Sequence, residues 1–382
     1  MGGTGRGAHG LRVCGRPSAG FGAKKKALTW WCVFGAVTVE ERIWREPACR
    51  YLRPFTERVQ VSARGKSRRL QRVLTDFGAE HSFAAGGARL REHYGFSLNA
   101  SAVRAVTLQH AERAAQVLAT GYQQSFRILP AAGAGALVAE ADGTMICTVD
   151  PARARAGQRP RQWKEMRLLA AQAQGATQAC YAATFGSVTE AGRRWGHCTR
   201  EAGWALASHI HVVADGAEWI TLQSREVFGT QATVLTDFYH VSEYLAAAGQ
   251  VCRPGAPRQW LHTQQNRLKR GALAPVLAEL EAQIEPESVP EEAAPVRAAR
   301  RYLDNRRDAL DYAGAISREL PIGSGLIESG HKHVLHARLK GAGTAWLPAN
   351  ADALAQLRVL RANQHWDAFW PTQPPIPSMH HN

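Results

Sequence analysis

The chain of 382 residues is long enough to bury a full hydrophobic core and to hold two or three domains. Its 45% hydrophobic and 21% charged residues are those expected of a soluble protein, and no run of about eighteen apolar residues is present to form a membrane span. The formal net charge of +15 is uneven: residues 1–140 hold 21 Lys and Arg against 9 Asp and Glu, and the remainder hold 26 against 23.

That asymmetry points to a polyanion-binding front module joined to a near-neutral body. A solvated basic surface on an Arg-rich protein is the plainer alternative. Residues 1–26 are basic and Gly-rich without an apolar centre, so they read as a disordered tail and not as a secretory signal. The Cys residues (Cys14, Cys32, Cys49, Cys147, Cys180, Cys198 and Cys252) are scattered with no CxxC, which supports neither a disulfide framework nor a zinc finger and fits a reducing cytoplasm.

From Ala27 to Trp44, apolar and β-branched residues around Gly35 predict a hairpin. The segment SARGKSRRLQRVL, 62–74, predicts a basic helix whose Lys66, Arg68, Arg69 and Arg72 are candidate phosphate contacts. Residues 75–120 predict further helix, broken at Gly95 and restarted at a cap on Asn99 or Ser101, with Val103, Val106 and Leu108 as the apolar positions. Helix, short Gly-containing turn, helix is the form of a helix-turn-helix, and equally of a plain helical hairpin. Residues 27–135 are thus expected to be a basic, mostly helical DNA-binding region.

The stretch ALVAEADGTMICTVD, 136–150, is apolar on both sides of Asp142-Gly143. It predicts either one buried strand carrying an acidic residue or two strands joined by a tight Asp-Gly turn. After a basic, Pro-containing loop, WKEMRLLAAQAQG and TQACYAATFGS predict two more strands. ALASHIHVVADGAEWI then predicts a strand ending at Asp215, and TQATVLTDFYHVSEYLAAAG a strand ending at Asp237 followed by an apolar helix. Residues 250–320 predict a charged helical insertion with a Pro/Glu-rich break at 284–295, and PIGSGLIESGHKHVLHARLKGAG a Gly-rich turn leading into a helix with Glu328. LRVLRANQHWDAFW predicts an end-helix, and 371–382 a flexible tail.

Strands that end in Asp, followed by a late helix bearing Glu, describe an α/β protein with an RNase H-like mixed sheet core: 136–249 as its first part, 250–320 as an insertion, 321–370 as its second part. The residue types suit phosphodiester chemistry, in which two hard divalent cations about 4 Å apart relieve charge on the attacking and leaving oxygens and are themselves held by carboxylates.

The strings EADGTM, VVADGAEWI, LTDFYHVSEYL, PIGSGLIESGHKHVLHARLKGAG and HWDAFW resemble those of bacterial insertion-sequence transposases of the ISKra type, members of the DDE superfamily. The resemblance covers roughly residues 27–370. It implies metal-dependent cleavage and strand transfer at element ends, with Asp142, Asp215 and Glu328 as catalytic, metal-binding positions for Mg²⁺ or Mn²⁺, two per site. It further implies double-stranded DNA as partner, a homodimer or higher assembly on DNA, and a cytoplasmic, nucleoid-associated location. The chain departs from the family in one respect: relatives often carry a Cys pair after the N-terminal hairpin, and here Cys49 stands alone.

Strand counting favours Asp215 over Asp237 as the second carboxylate. In such a core the fourth strand lies beside the first and the fifth about 4.8 Å further out, which leaves Asp237 and His240 to support the helix start or to touch DNA beside the site. Lys332, Arg338 and Lys340 are candidate phosphate contacts close after Glu328. His331, His333 and His336 share that helix as candidate DNA-facing groups, and His209 and His211 read as structural or surface residues. The Trp195–Cys198 stretch offers two ligands, too few for zinc. A catalytically inactive DNA-binding descendant and a structure-selective nuclease are the competing readings; the large insertion and basic front module speak against a minimal nuclease.

Overall fold

A computed structural model describes residues 23–45, 51–52, 65–150, 152–153 and 160–370. The tails 1–22 and 371–382, Cys49, and most of the basic loop after Asp150 lie outside the described residues. The chain divides into two compact units, 1–107 and 108–382.

In the first unit, β1 (Ala23–Cys32) and β2 (Gly35–Arg45) form the predicted hairpin. It begins four residues inside the stretch expected to be a disordered tail. The turn closes at Gly35, whose φ of 104° is a conformation that suits glycine. A two-residue strand, β3 (Tyr51–Leu52), pairs with β2. Helices α1 (Arg68–Glu80) and α2 (Phe83–Tyr94) follow, and then α3 (Ala100–Gln123), of which residues 100–107 belong to this unit. The Ser67 and Ser82 hydroxyls accept N–H bonds at the starts of α1 and α2, and α2 stops at Gly95 in the left-handed region. Asn99 Oδ1 accepts from Ala102 N at 2.8 Å and so starts α3, the cap anticipated from the sequence. Leu70, Leu74, Leu90, Val103 and Val106 form the core. α1 and α3 approach closely, since a Cβ on Gly78 would stand 2.0 Å from Thr107 Oγ1.

The second unit is built on a mixed five-stranded sheet in the order β6-β5-β4-β7-β8. Its strands are β4 (Ala136–Val149), β5 (Arg161–Ala173), β6 (Cys180–Thr184), β7 (His209–Ala214) and β8 (Ala232–Thr236). β4, β5 and β6 run as an antiparallel meander, and β7 and β8 add parallel on the far side of β4. The two readings of 136–150 are resolved in favour of one strand: Asp142 pairs with Leu168 and Gly143 with Arg167 in an unbroken ladder.

Alternation along the strands gives the sheet two different faces. Leu137, Ala139, Ala141, Leu169, Ile210, Val212 and Ala214 belong to a core shared with Trp195 and Ala191 of α4 (Val188–Glu201) and Ile220 and Phe228 of α5 (Glu218–Phe228). The indole N–H of Trp195 donates to Ala170 O at 3.1 Å, so even the largest buried side chain has its polar atom paired. The opposite face carries Glu140, Asp142, Leu168 and Tyr181. It meets α11 (Gly325–Gly330), where a Cβ on Gly330 would stand 2.7 Å from Tyr181 Cε1 and 2.9 Å from Leu168 Cδ2.

Between β8 and α11 lie five helices: α6 (Phe238–Cys252), α7 (Pro257–Lys269), α8 (Leu273–Glu281), α9 (Pro295–Asp304) and α10 (Tyr312–Ser317). The expected helical insertion does not stand apart from α6, because Phe238, Val241 and Leu245 share one core with Trp260, Leu280, Leu303 and Tyr312. After α11 the helix continues through a π-helical turn, His331–His336, and α12 (Pro348–Ala362) packs along the edge strand β6. There Asn363 accepts from Tyr181 N at 2.8 Å and donates to Tyr181 O at 3.0 Å, and Gln356 donates to Ala183 O at 2.9 Å. Among the described residues no helix is long and apolar enough to cross a membrane.

Candidate active site

Three neighbouring strands bring an aspartate to the same level of the sheet, Asp142 from within β4 and Asp215 and Asp237 from just past the ends of β7 and β8. The β4–β7 ladder runs to Glu140 opposite Val213, and Asp142 and Asp215 stand two residues further along their strands. The β7–β8 ladder runs to Ala214 opposite Thr236, so Asp215 and Asp237 both follow directly. Asp215 thus leaves the strand next to β4, and Asp237 the strand beyond it.

Each carboxylate has its own engagement. Asp142 Oδ1 accepts from Gly143 N at 2.6 Å, while Oδ2 lies 3.1 Å from His331 Nε2. That contact is within ion-pair distance, but its direction is not that of a hydrogen bond. Asp215 Oδ1 accepts from Ala217 N at 2.8 Å, and its carbonyl accepts from the Tyr302 hydroxyl at 2.6 Å. The next residue, Gly216, has a φ of 94°, and a Cβ there would fall 2.3 Å from Arg306 Nε; only glycine fits both demands. Asp237 is 2% exposed and caps α6, its Oδ1 accepting from Tyr239 N and His240 N at 2.6 and 3.1 Å. Its second oxygen accepts from Ser324 N at 2.6 Å. Glu328 is exposed on α11.

A fourth carboxylate, not singled out in the sequence, is Glu140. It lies two residues before Asp142 on β4, hence on the same sheet face, and is 1% exposed. Oε2 accepts from Ile327 N at 2.7 Å, and Oε1 has no hydrogen-bond partner. Burial pushes its carboxyl up to about 8; the Ile327 and Leu326 N–H groups oppose the rise, and the negative charges of Asp237 and Glu328 add to it. Strand periodicity could have flagged Glu140, but only the identity of the helix above that face explains it.

Beside Asp142, His331 is buried and stacked on His336 with ring centroids 5.2 Å apart. His336 Nε2 lies 2.8 Å from Thr144 Oγ1, and burial, with Lys340 and His331 adding to it, lowers its pKa to about 4.

Of the candidate phosphate contacts in this unit, Lys332 and Lys340 are exposed. Arg338 is not available as expected: it is 5% exposed, with its guanidinium over the Trp346 ring at 4.8 Å. His331 likewise faces the sheet and not solvent. In the first unit Arg69 is exposed and Lys66, Arg68 and Arg72 are half-buried. His211 is buried with Nε2 2.8 Å from Pro321 O, and His209 meets Thr233 Oγ1 at 2.9 Å. Cys198 is buried with Sγ 2.9 Å from Cys180 O, and His197 packs on Tyr122 and Phe126.

The donor set is of the hard-oxygen type that suits Mg²⁺ or Mn²⁺. As the side chains stand, however, no three His, Cys, Asp or Glu among the described residues are gathered to hold a metal ion. Two of the buried carboxylates are instead committed to backbone N–H groups. No protein-family model matches the chain, and no curated protein matches it.

Proposed function

We propose that this chain is a DNA transposase of the DDE superfamily, of the ISKra type, with an RNase H-like core that cleaves and joins DNA at the ends of an insertion sequence. One observation carries the reading. A central strand with Asp142 has, as its parallel neighbour, a strand that ends at Asp215, and the helix bearing Glu328 lies over the face on which Asp142 stands. That strand order is the one the strand count requires if Asp215 and not Asp237 is the second member of the set. The basic first unit, with exposed Arg69 on a helix, supplies DNA contact in this reading, and Mg²⁺ or Mn²⁺ is the expected cofactor.

The test is cleavage of linear DNA carrying the sequence that flanks the reading frame, with Mg²⁺ or Mn²⁺ added. Asp142→Asn, Asp215→Asn and Glu328→Gln each keep size and remove charge. Each is expected to lower cleavage by about 10²–10³-fold, a loss of the size seen when a principal electrostatic group is removed, while DNA binding persists. Metal-dependent cleavage by Glu328→Gln at the wild-type rate would overturn the assignment.

A DNA-binding descendant without cleavage activity is the second reading. It is favoured by the position of Asp142, whose free oxygen is turned towards His331. Wild-type protein that binds end DNA and never cuts it would decide for this reading.

A further inference from the structure

We infer that Glu140 and Asp237 are positioning residues: they clamp the start of α11 to the sheet and thereby set where Glu328 stands. The importance of Glu328 rests on the transposase reading; the clamp itself rests on the geometry alone.

A helix start leaves four N–H groups without intrahelical partners, and a Ser, Thr, Asp or Asn side chain at the first position ordinarily takes one of them. Ser324 occupies that position in α11 and makes no side-chain cap bond. The N–H groups are taken from a distance instead. Asp237, which follows β8, accepts from Ser324 N at 2.6 Å, and Glu140, inside β4, accepts from Ile327 N at 2.7 Å. A local cap moves with its helix. Two carboxylates on separate strands fix the helix start to the sheet at two points, and Glu328 is the next residue after Ile327.

The Gly-Ser-Gly sequence acquires a reason from the same arrangement. A Cβ on Gly323 would stand 2.6 Å from Tyr239 Cε2, so the chain passes against the first turn of α6 where Asp237 is fixed. A Cβ at residue 323 would have to displace the exposed Tyr239 ring, so Gly323 leaves that ring its place without invoking a phosphate-cradling loop. Negative charge at a helix start is favourable in itself. Here it is also pinned, because Asp237 holds Tyr239 N and His240 N with its other oxygen.

The test uses the full chain, free of metal and DNA, and reads amide hydrogen exchange at residues 322–330 and 238–241. In Glu140→Ala the Ile327 amide is expected to exchange about tenfold faster, as loss of a buried hydrogen bond would give. In Glu140→Gln the amide oxygen can accept the same N–H, and protection is expected to stay within about threefold of wild type. Asp237→Asn leaves one oxygen for the α6 cap and turns an NH₂ towards the Ser324 N–H. Ser324 should then lose protection while Tyr239 and His240 keep theirs. Unchanged Ile327 protection in Glu140→Ala, or protection in Glu140→Gln as poor as in the Ala variant, would overturn the clamp. Should Glu140→Ala fail to fold, Glu140→Gln and Asp237→Asn still decide it.

Cleavage separates positioning from ligation. Glu140→Gln is expected to retain most activity and Glu140→Ala to lose at least about tenfold with DNA binding intact. Loss in Glu140→Gln equal to that in Ala would make Glu140 a ligand or proton carrier and overturn its positioning role. If wild-type protein does not cleave at all, the transposase reading fails and exchange alone judges the clamp.

Discussion

Glu140 makes the stability of this protein depend on pH in a direction opposite to that of most carboxylates. Its carboxyl is pushed from the usual 4.5 up to about 8, so the folded chain holds a proton that the unfolded chain has already released. The stability linked to this group is fully present below pH 4.5 and is lost as pH rises through about 8. His336 works in the other window: lowered from 6.5 to about 4, it contributes stability above pH 6.5 that is lost as pH falls towards 4. A comparison of Glu140→Gln with wild type removes the His336 contribution. The variant's melting temperature in metal-free buffer is expected to match wild type near pH 4.5 and to exceed it increasingly up to pH 8–9, the interval that brackets the two Glu140 values. A constant difference across that range would show that Glu140 does not titrate there. The same residue marks a limit of sequence reading. Asp142 is conspicuous because Asp-Gly interrupts an apolar run, whereas nothing local distinguishes Glu140, a buried Glu, from an exposed one in a strand.

Elements were legible where the local chemistry was decisive. The Gly35 hairpin, the Asn99 cap, the Gly95 stop and the five core strands all follow from turn residues and apolar alternation. What local chemistry leaves open or misplaces is what tertiary contact decides. Asp142-Gly143 suits a turn as well as a strand, and β5 pairs across it without a break. Arg338 looked like a phosphate contact by its spacing from Glu328, but the helix passes through a π-helical turn at His331–His336 and Arg338 ends up buried over Trp346. A π-turn shifts the phase of everything after it, and spacing rules assume that phase is constant. Gly330 gives the element scale its own test. A Cβ there meets Tyr181 and Leu168 inside 3 Å, so Gly330→Ala must lift α11 from the sheet. Thermal or denaturant unfolding should show a loss of about 1–3 kcal/mol, the usual cost of overpacking; a neutral substitution would mean that the helix is less closely seated than described.

For the whole molecule, the informative quantity is where charge sits. A balance of +12 in the first 140 residues against +3 in the rest predicts that salt acts mainly through the front of the chain. The logarithm of the binding constant of full-length protein for duplex DNA should fall linearly with the logarithm of salt concentration, and replacing Arg68 and Arg69 with Ala should reduce that slope by about one for each phosphate contact removed. An unchanged slope would move the DNA contact elsewhere. The two-unit division itself was only partly legible. The expected boundary at residue 135 follows composition, but the compact units meet at residues 107 and 108, within α3, because a helix of 24 residues has no break in its pattern to announce that its two halves serve different cores.

The outer margin of β6 carries a further consequence. A strand at the border of a sheet is normally an open template on which another chain can register. Here Asn363 occupies both the donor and the acceptor of Tyr181, and Gln356 occupies Ala183, so side chains impersonate the strand that would otherwise be recruited. Two copies of this protein therefore cannot extend the sheet along β6 without first breaking these bonds. On that side the sheet of five strands is bounded by its own side chains.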